Sequence, residues 1–162
     1  MKLIYLSAPF STGPDSTIRR QADIDRATAW LTKHTDVYIF SPITYEKPIK
    51  DINGVAEKDV EWAFWKPRDG EMVSRCDELW VLCLHNWENS RGVTYEVGEA
   101  KRLGKPVHYI QVTFVTETCS ECDGSGESGP GWAGQAPCAF CTDGQRGTGK
   151  VIYTLDNTLE IA

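Results

Sequence analysis

Apolar residues fall into short continuous runs separated by stretches of helical spacing. Leu3 to Leu6 form a four-residue apolar run ended by Ser7-Ala8-Pro9, the signature of a buried strand. Asp15 or Ser16 can cap a helix running to about Lys33, with Ile24, Ala27 and Leu31 on one face. Val37 to Phe40 predicts a second strand, stopped at Ser41-Pro42 and followed by a loop rich in Pro and Lys. Val55 to Cys76 has a helical pattern that Pro67 should divide in two. Leu79 to Leu84, continuous enough to be buried on both faces, predicts a third strand. Val93, Val97 and Ala100 recur at helical spacing, and Gly104 should end that fourth helix before a strand from Pro106 to Ile110.

Strands alternating with helices imply an α/β fold, a parallel sheet with helices on both faces. In such sheets ligands bind beyond the carboxyl ends of the strands. Tyr5 and the segment from Asn86 to Arg91 fall there, so chemistry is sought among the polar residues of these places.

Past residue 111 the pattern changes. Gln111 to Thr118 and Lys150 to Leu155 alternate apolar with polar positions, as the two arms of a hairpin would. Between them, residues 119–149 hold eight of the fourteen glycines and no Val, Ile, Leu or Met. A segment without aliphatic side chains cannot offset its ordering entropy by burial. Cys119-x-x-Cys122 and Cys138-x-x-Cys141, fifteen residues apart, have the spacing of a structural four-thiolate zinc site, with disulfides as the rival reading. A closed thiolate shell leaves no position for substrate, so this Zn2+ would serve folding and no cofactor is expected for catalysis. The expected division is an α/β domain over 1–111, a zinc-binding hairpin over 112–155 and a tail over 156–162. Cys76 and Cys83 are expected to be buried and inert.

Composition narrows the function. The chain of 162 residues carries 17 basic and 23 acidic side chains, a net charge of −6, which argues against nucleic acid as a partner. The longest apolar run, Leu79 to Leu84, is far short of the roughly 20 residues that cross a bilayer, and the N-terminus lacks the long apolar stretch of an export signal. A soluble, cytoplasmic protein without a membrane partner is expected.

Three segments carry candidate chemistry: Tyr5 to Phe10, Asp69 to Asp77, and Asn89 to Ala100. Gly92 relaxes the loop-to-helix junction, where free N–H groups and the helix dipole favour an anion. Ser90 and Arg91 add a hydroxyl and a guanidinium there, a seat for phosphate or carboxylate. Glu96 lies about one turn inside the helix, where a carboxylate can serve as nucleophile, although a Glu so placed more often serves only the dipole.

Together these segments resemble the nucleoside 2-deoxyribosyltransferases and their relatives, the 2′-deoxynucleoside 5′-phosphate N-hydrolases. Tyr5 and Phe10 match Tyr-x-x-x-x-Phe at the end of the first strand. Asp69 lies eight residues before Asp77, as in the family. Ser90, Gly92, Glu96, Gly98 and Ala100 match Ser-x-Gly-x-x-x-Glu-x-Gly-x-Ala. The resemblance covers about 2–111 and implies a flavodoxin-like or Rossmann-like sheet. Phe40-Ser41-Pro42 and the Trp62, Phe64 and Trp65 cluster also resemble an uncharacterised branch of that superfamily.

By this resemblance Glu96 attacks C1′ of a (deoxy)ribosyl group, Asp69 protonates the departing base and Tyr5 orients the carboxylate. Ser90, Arg91, Gly92, Ser7, Phe10 and Trp65 are the implied substrate-binding residues. Transferases of the family generally carry an acid where this chain has Ser90, whereas the hydrolases carry a serine that meets the 5′-phosphate. Arg91 departs from the hydrolases, which commonly have an apolar residue there. The implied activity is hydrolysis of a nucleoside 5′-monophosphate. Base exchange, or nucleotide binding without turnover beside a zinc interaction module, are the alternatives. The implied partner is a small-molecule nucleotide or nucleoside, and the implied assembly a homo-oligomer. Trp62, Phe64 and Trp65 can stack on a base, but core packing is expected for at least two of them.

Overall fold

The computed structural model describes residues 1–10, 17–50, 62–118, 127–128, 136–137, 145–155 and 159–161. The chain divides into two units, Met1–Gln111 with Tyr153–Ile161, and Val112–Ile152.

In the first unit β1 (Lys2–Ser7) leads through α1 (Thr17–His34) to β2 (Val37–Phe40), α2 (Pro42–Lys50) and α3 (Trp62–Arg75). Then come β3 (Glu78–Cys83), a 3-10 turn (Trp87–Asn89), α4 (Arg91–Arg102) and β4 (Val107–Thr118), whose residues from Val112 on belong to the second unit. The sheet runs β2-β1-β3-β4, continued by β7 (Gln145–Leu155) and β8 (Leu159–Ile161). β1 is parallel to both β2 and β3, and β3 is parallel to β4. This is the doubly wound order in which the chain reverses direction between β1 and β3 and opens a crevice at their carboxyl ends.

Side chains alternate across the sheet. Tyr5, Leu79 and Val81 face Val73 of α3, Cys76 just past its end, and Val93 and Ala100 of α4 in one core. The alternate positions Ile4, Leu6, Trp80, Leu82 and Ile110 are buried too, as are Ile24, Ala27 and Leu31 of α1. A strand buried on both faces reads as an unbroken apolar run, which is why β1 and β3 were legible.

α2, α3 and β4 differ from expectation. The stretch after β2 is helical, not a loop, because Pro42 sits in the first turn, where its missing N–H costs nothing, and the Ser41 hydroxyl accepts the Thr44 N–H at 3.4 Å. Pro67 does not divide α3. The carbonyl it leaves unbonded is that of Ala63, both residues are exposed, and Trp65, Asp69 and Val73 bury the opposite face. β4 continues through the predicted break at residue 111.

α4 ends as its sequence requires. Gly104 adopts φ +67°, with its N–H on the Lys101 carbonyl and the Lys105 N–H on that of Ala100. Leu159–Ile161, within the stretch expected as a tail, form β8, which pairs antiparallel with β7. In the second unit β5 (Glu127–Ser128) pairs antiparallel with β6 (Ala136–Pro137). Cys119, Cys122, Cys138 and Cys141, the Asp15 or Ser16 cap and the helical stretch from Val55 to Glu61 lie outside the described residues. Among the described residues no helix is long and apolar enough to cross a membrane.

Candidate active site

Side chains of β1 that point toward α3 and α4 at its carboxyl end are Tyr5 and Ser7, both fully buried. α4 starts just beyond β3, capped by Ser90, whose buried hydroxyl accepts the Val93 N–H at 3.5 Å. Its buried stripe is Val93, Glu96 and Ala100, so the periodicity that seals the helix onto the sheet also buries a carboxylate.

Glu96 is 6% exposed and engages β1 through both oxygens. The Tyr5 hydroxyl donates to Oε1 at 3.0 Å, and the Ser7 hydroxyl donates to Oε2. Burial pushes the Glu96 carboxyl up to about 7. The two hydroxyls pull the other way without cancelling that rise, and the charge of Glu46 adds to it. Tyr5 is held well above the ordinary phenol range by burial, then by the charges of Glu96, Asp69 and Glu46. Neutral donors thus fix the carboxylate's orientation without neutralising its charge.

Asp69 is buried on α3 and lies within electrostatic reach of the Tyr5 hydroxyl. The structure therefore brings Tyr5, Ser7 and Glu96 into one hydrogen-bonded group, and the charge of buried Asp69 reaches its Tyr5 member. Ser90 and Gly92 stand together at the start of α4, where a Cβ on Gly92 would lie 3.8 Å from the Trp62 ring. Arg91 is exposed, its guanidinium 5.0 Å from the centroid of Trp62, so it does not share the buried surroundings of Ser90. Phe10 is half-buried just beyond β1. Trp65 is buried against the edge of Phe64, ring centroids 4.9 Å apart. Of the three aromatics near the start of α3, Trp65 alone is buried, where two had been expected in the core.

Two residues escaped the sequence reading. Glu46 is a buried third acid whose field reaches both Glu96 and Tyr5. Taking Ser41-Pro42 as a helix start would have placed it one turn in, on the same face as buried Pro42. Tyr95, next to Glu96, packs on α3 with its ring edge-on to Trp62 at 5.5 Å. Cys76 is buried with its thiol pushed up to about 11, and Cys83 is half-buried. Among the described residues no group of three His, Cys, Asp or Glu could hold a metal ion.

The fold and this site define a doubly wound α/β protein with a buried, hydroxyl-oriented carboxylate at the strand switch point. Residues 2–112 match the family described as a domain of unknown function, DUF1937, and the chain belongs to that family. No curated protein matches it. Among solved structures it is similar to a 2-deoxyribosyltransferase from the psychrotolerant bacterium Bacillus psychrosaccharolyticus. That match has 23% identity and a TM-score of 0.46, and covers 65% of this chain and 69% of the other. It is also similar to a 2-deoxyribosyltransferase from Leishmania mexicana, at 18% identity and a TM-score of 0.46, covering 75% of this chain and 69% of that one.

Proposed function

We propose that this chain is an N-glycosidase that hydrolyses the base–sugar bond of a (deoxy)nucleoside 5′-monophosphate through a glycosyl ester on Glu96. The observation that carries the reading is Glu96 itself, a buried carboxylate oriented by two neutral hydroxyls, one of which, that of Tyr5, also lies in the field of buried Asp69. An ammonium at that place would tie up the charge that a nucleophile needs.

The steps follow those of a retaining glycosidase. A Glu96 oxygen bonds to C1′ while the C1′–N bond breaks, and the departing base takes the bonding pair together with a proton from Asp69. The Asp69 carboxylate then removes a proton from water, whose oxygen attacks C1′. The ester C1′–O bond breaks, and Glu96 leaves as the carboxylate. Tyr5 and Ser7 hold the carboxylate in line through both steps. Ser90, with the free N–H groups opening α4, is the seat for the 5′-phosphate, and Arg91 stands at its rim. Base exchange differs only in the second step, where a free base replaces water. Ser90, in place of the transferases' acid, favours water.

Incubating the full chain with a panel of nucleosides and 5′-monophosphates, with and without a second free base, tests this by chromatography. The expected result is base release without an acceptor, faster for monophosphates than for the matching nucleosides. Exchange only in the presence of an acceptor would replace hydrolysis by transfer. Retained nucleotide binding without turnover would replace both by a binding protein.

The cysteine pairs are read as a structural zinc site in the second unit, on their spacing alone. Elemental analysis of protein purified without added metal should find about one zinc per chain, the complement of a single four-thiolate site. None would overturn that reading.

A further inference from the structure

Position 70 holds a glycine in the middle of α3, where helix propensity disfavours it. A Cβ there would lie 2.5 Å from the Tyr95 hydroxyl oxygen and 3.5 Å from the ring carbon that bears it. The phenol of Tyr95 therefore lies close against the backbone of α3, immediately beside Asp69.

Its ring is held at two further points of α3. Trp62 meets it edge-on at 5.5 Å with an interplanar angle of 90°, and the Lys66 ammonium lies 5.0 Å from its centroid. Trp62, Lys66 and Gly70 are successive i, i+4 positions, one stripe along α3. The neighbouring stripe, Trp65, Asp69 and Val73, is the buried one. A side chain that fits along the first stripe fixes the rotation of α3 about its axis, and so fixes where the second stripe points. At its other end Tyr95 is bonded in sequence to Glu96. One residue thus couples the helix bearing the acid to the helix bearing the nucleophile.

The geometry points to Tyr95 as a positioning residue that, seated in the notch left by Gly70, sets the place of Asp69 relative to Glu96. This rests on the glycosidase reading above and adds to it a determinant of the spacing between its two carboxyl groups. Reacting groups displaced by about 1 Å lose roughly 100-fold in rate.

The test uses full-length Gly70→Ala, Tyr95→Ala, Tyr95→Phe and the double variant Gly70→Ala/Tyr95→Phe. Gly70→Ala should lower kcat for base release by roughly 10- to 100-fold with KM changed less than about 3-fold, because positioning acts on the reacting centre. Tyr95→Ala, which keeps the glycine and removes the clasp, should do the same, so the test does not hang on one variant folding. Tyr95→Phe should lose less than about 3-fold, and the double variant should recover to that level, since the phenyl ring leaves room for the methyl.

Wild-type kcat in both Gly70→Ala and Tyr95→Ala, or a folded double variant no better than Gly70→Ala, overturns the proposal. If the wild-type chain releases no base, the glycosidase reading fails, and the spacing is judged by carboxyl-carbon NMR titration of Glu96. A midpoint moved by Gly70→Ala and restored in the double variant upholds it. A midpoint that stays put overturns it.

Discussion

Glu78 and Glu96 are both buried, at opposite ends of neighbouring elements, and the sheet makes different things of them. Glu78 opens β3 at the amino edge. There Lys2 donates to one of its oxygens, the Trp80 indole donates to the other at 3.1 Å, and His108 lies 3.7 Å away. Burial pushes its carboxyl up, but the Lys2 ammonium, the indole N–H and His108 outweigh burial and leave it below the ordinary range. Glu96, at the carboxyl edge, has as many donors, yet both are neutral hydroxyls, and a third acid stands nearby. It ends near 7. Deeper burial and the neutrality of its donors set Glu96 apart from Glu78, whose charged donor fastens the sheet edge.

The largest effect belongs to Glu96→Gln. The amide keeps the shape and cannot form the ester, so base release should fall by at least about 1,000-fold. The same change should stabilise the fold. A carboxyl that titrates near 7 when folded and near 4.5 when unfolded makes the folded state hold its proton more tightly. Stability is therefore undiminished below the unfolded value, falls as pH rises between the two, and stays lower above 7. Removing the carboxyl should return about 3 kcal/mol at pH 8 and nearly nothing at pH 4, read from denaturant unfolding at both pH values. Equal effects at both would show that Glu96 is not held protonated.

Tyr5→Phe comes next. It removes one of the two donors to the anion, so Glu96 should titrate higher still. Without its orienting hydroxyl, kcat should drop roughly 10- to 100-fold. The pH–rate profile reads both, and a rising limb that stays put would separate Tyr5 from Glu96.

At the other edge, Glu78→Gln should leave base release within about 2-fold of wild type, because nothing there meets substrate. Its cost is in stability, about 1 kcal/mol at neutral pH. That contribution is present above the unfolded carboxyl range and is lost as pH falls through the lowered folded value. The smallest change is Lys2→Gln, which takes away the cation and should let the Glu78 midpoint rise toward or past 4.5 in an NMR titration. A midpoint still depressed would mean that neutral donors suffice, and the contrast with Glu96 would dissolve.

Much of this architecture is local and therefore legible. β1, β2 and β3 are apolar runs, and Gly104 marks the end of α4 by a positive φ that few other residues adopt. Glu96 and Tyr5 stand out by motif, at places where doubly wound sheets bind ligands. What could not be read depends on long-range proximity. Glu46 joins the site only because α2 carries it there. Tyr95 matters only because residue 70, far away in sequence, lacks a side chain. The helix after β2 was missed because a Pro- and Lys-containing segment reads as a loop unless Ser41-Pro42 is taken as a start. Pro67 misled because a proline near the beginning of a helix, on an exposed face, interrupts little.

The proposed glycosidase requires a covalent bond between Glu96 and the anomeric carbon. The direct test is to quench the full-length protein during turnover of a 2′-fluorinated nucleoside 5′-monophosphate, whose ester hydrolyses slowly, and to map the modified peptide by mass spectrometry. One fluorinated sugar phosphate per chain is expected, on Glu96 and absent in Glu96→Gln. Base release with no adduct on Glu96, or with the adduct on another residue, would contradict it.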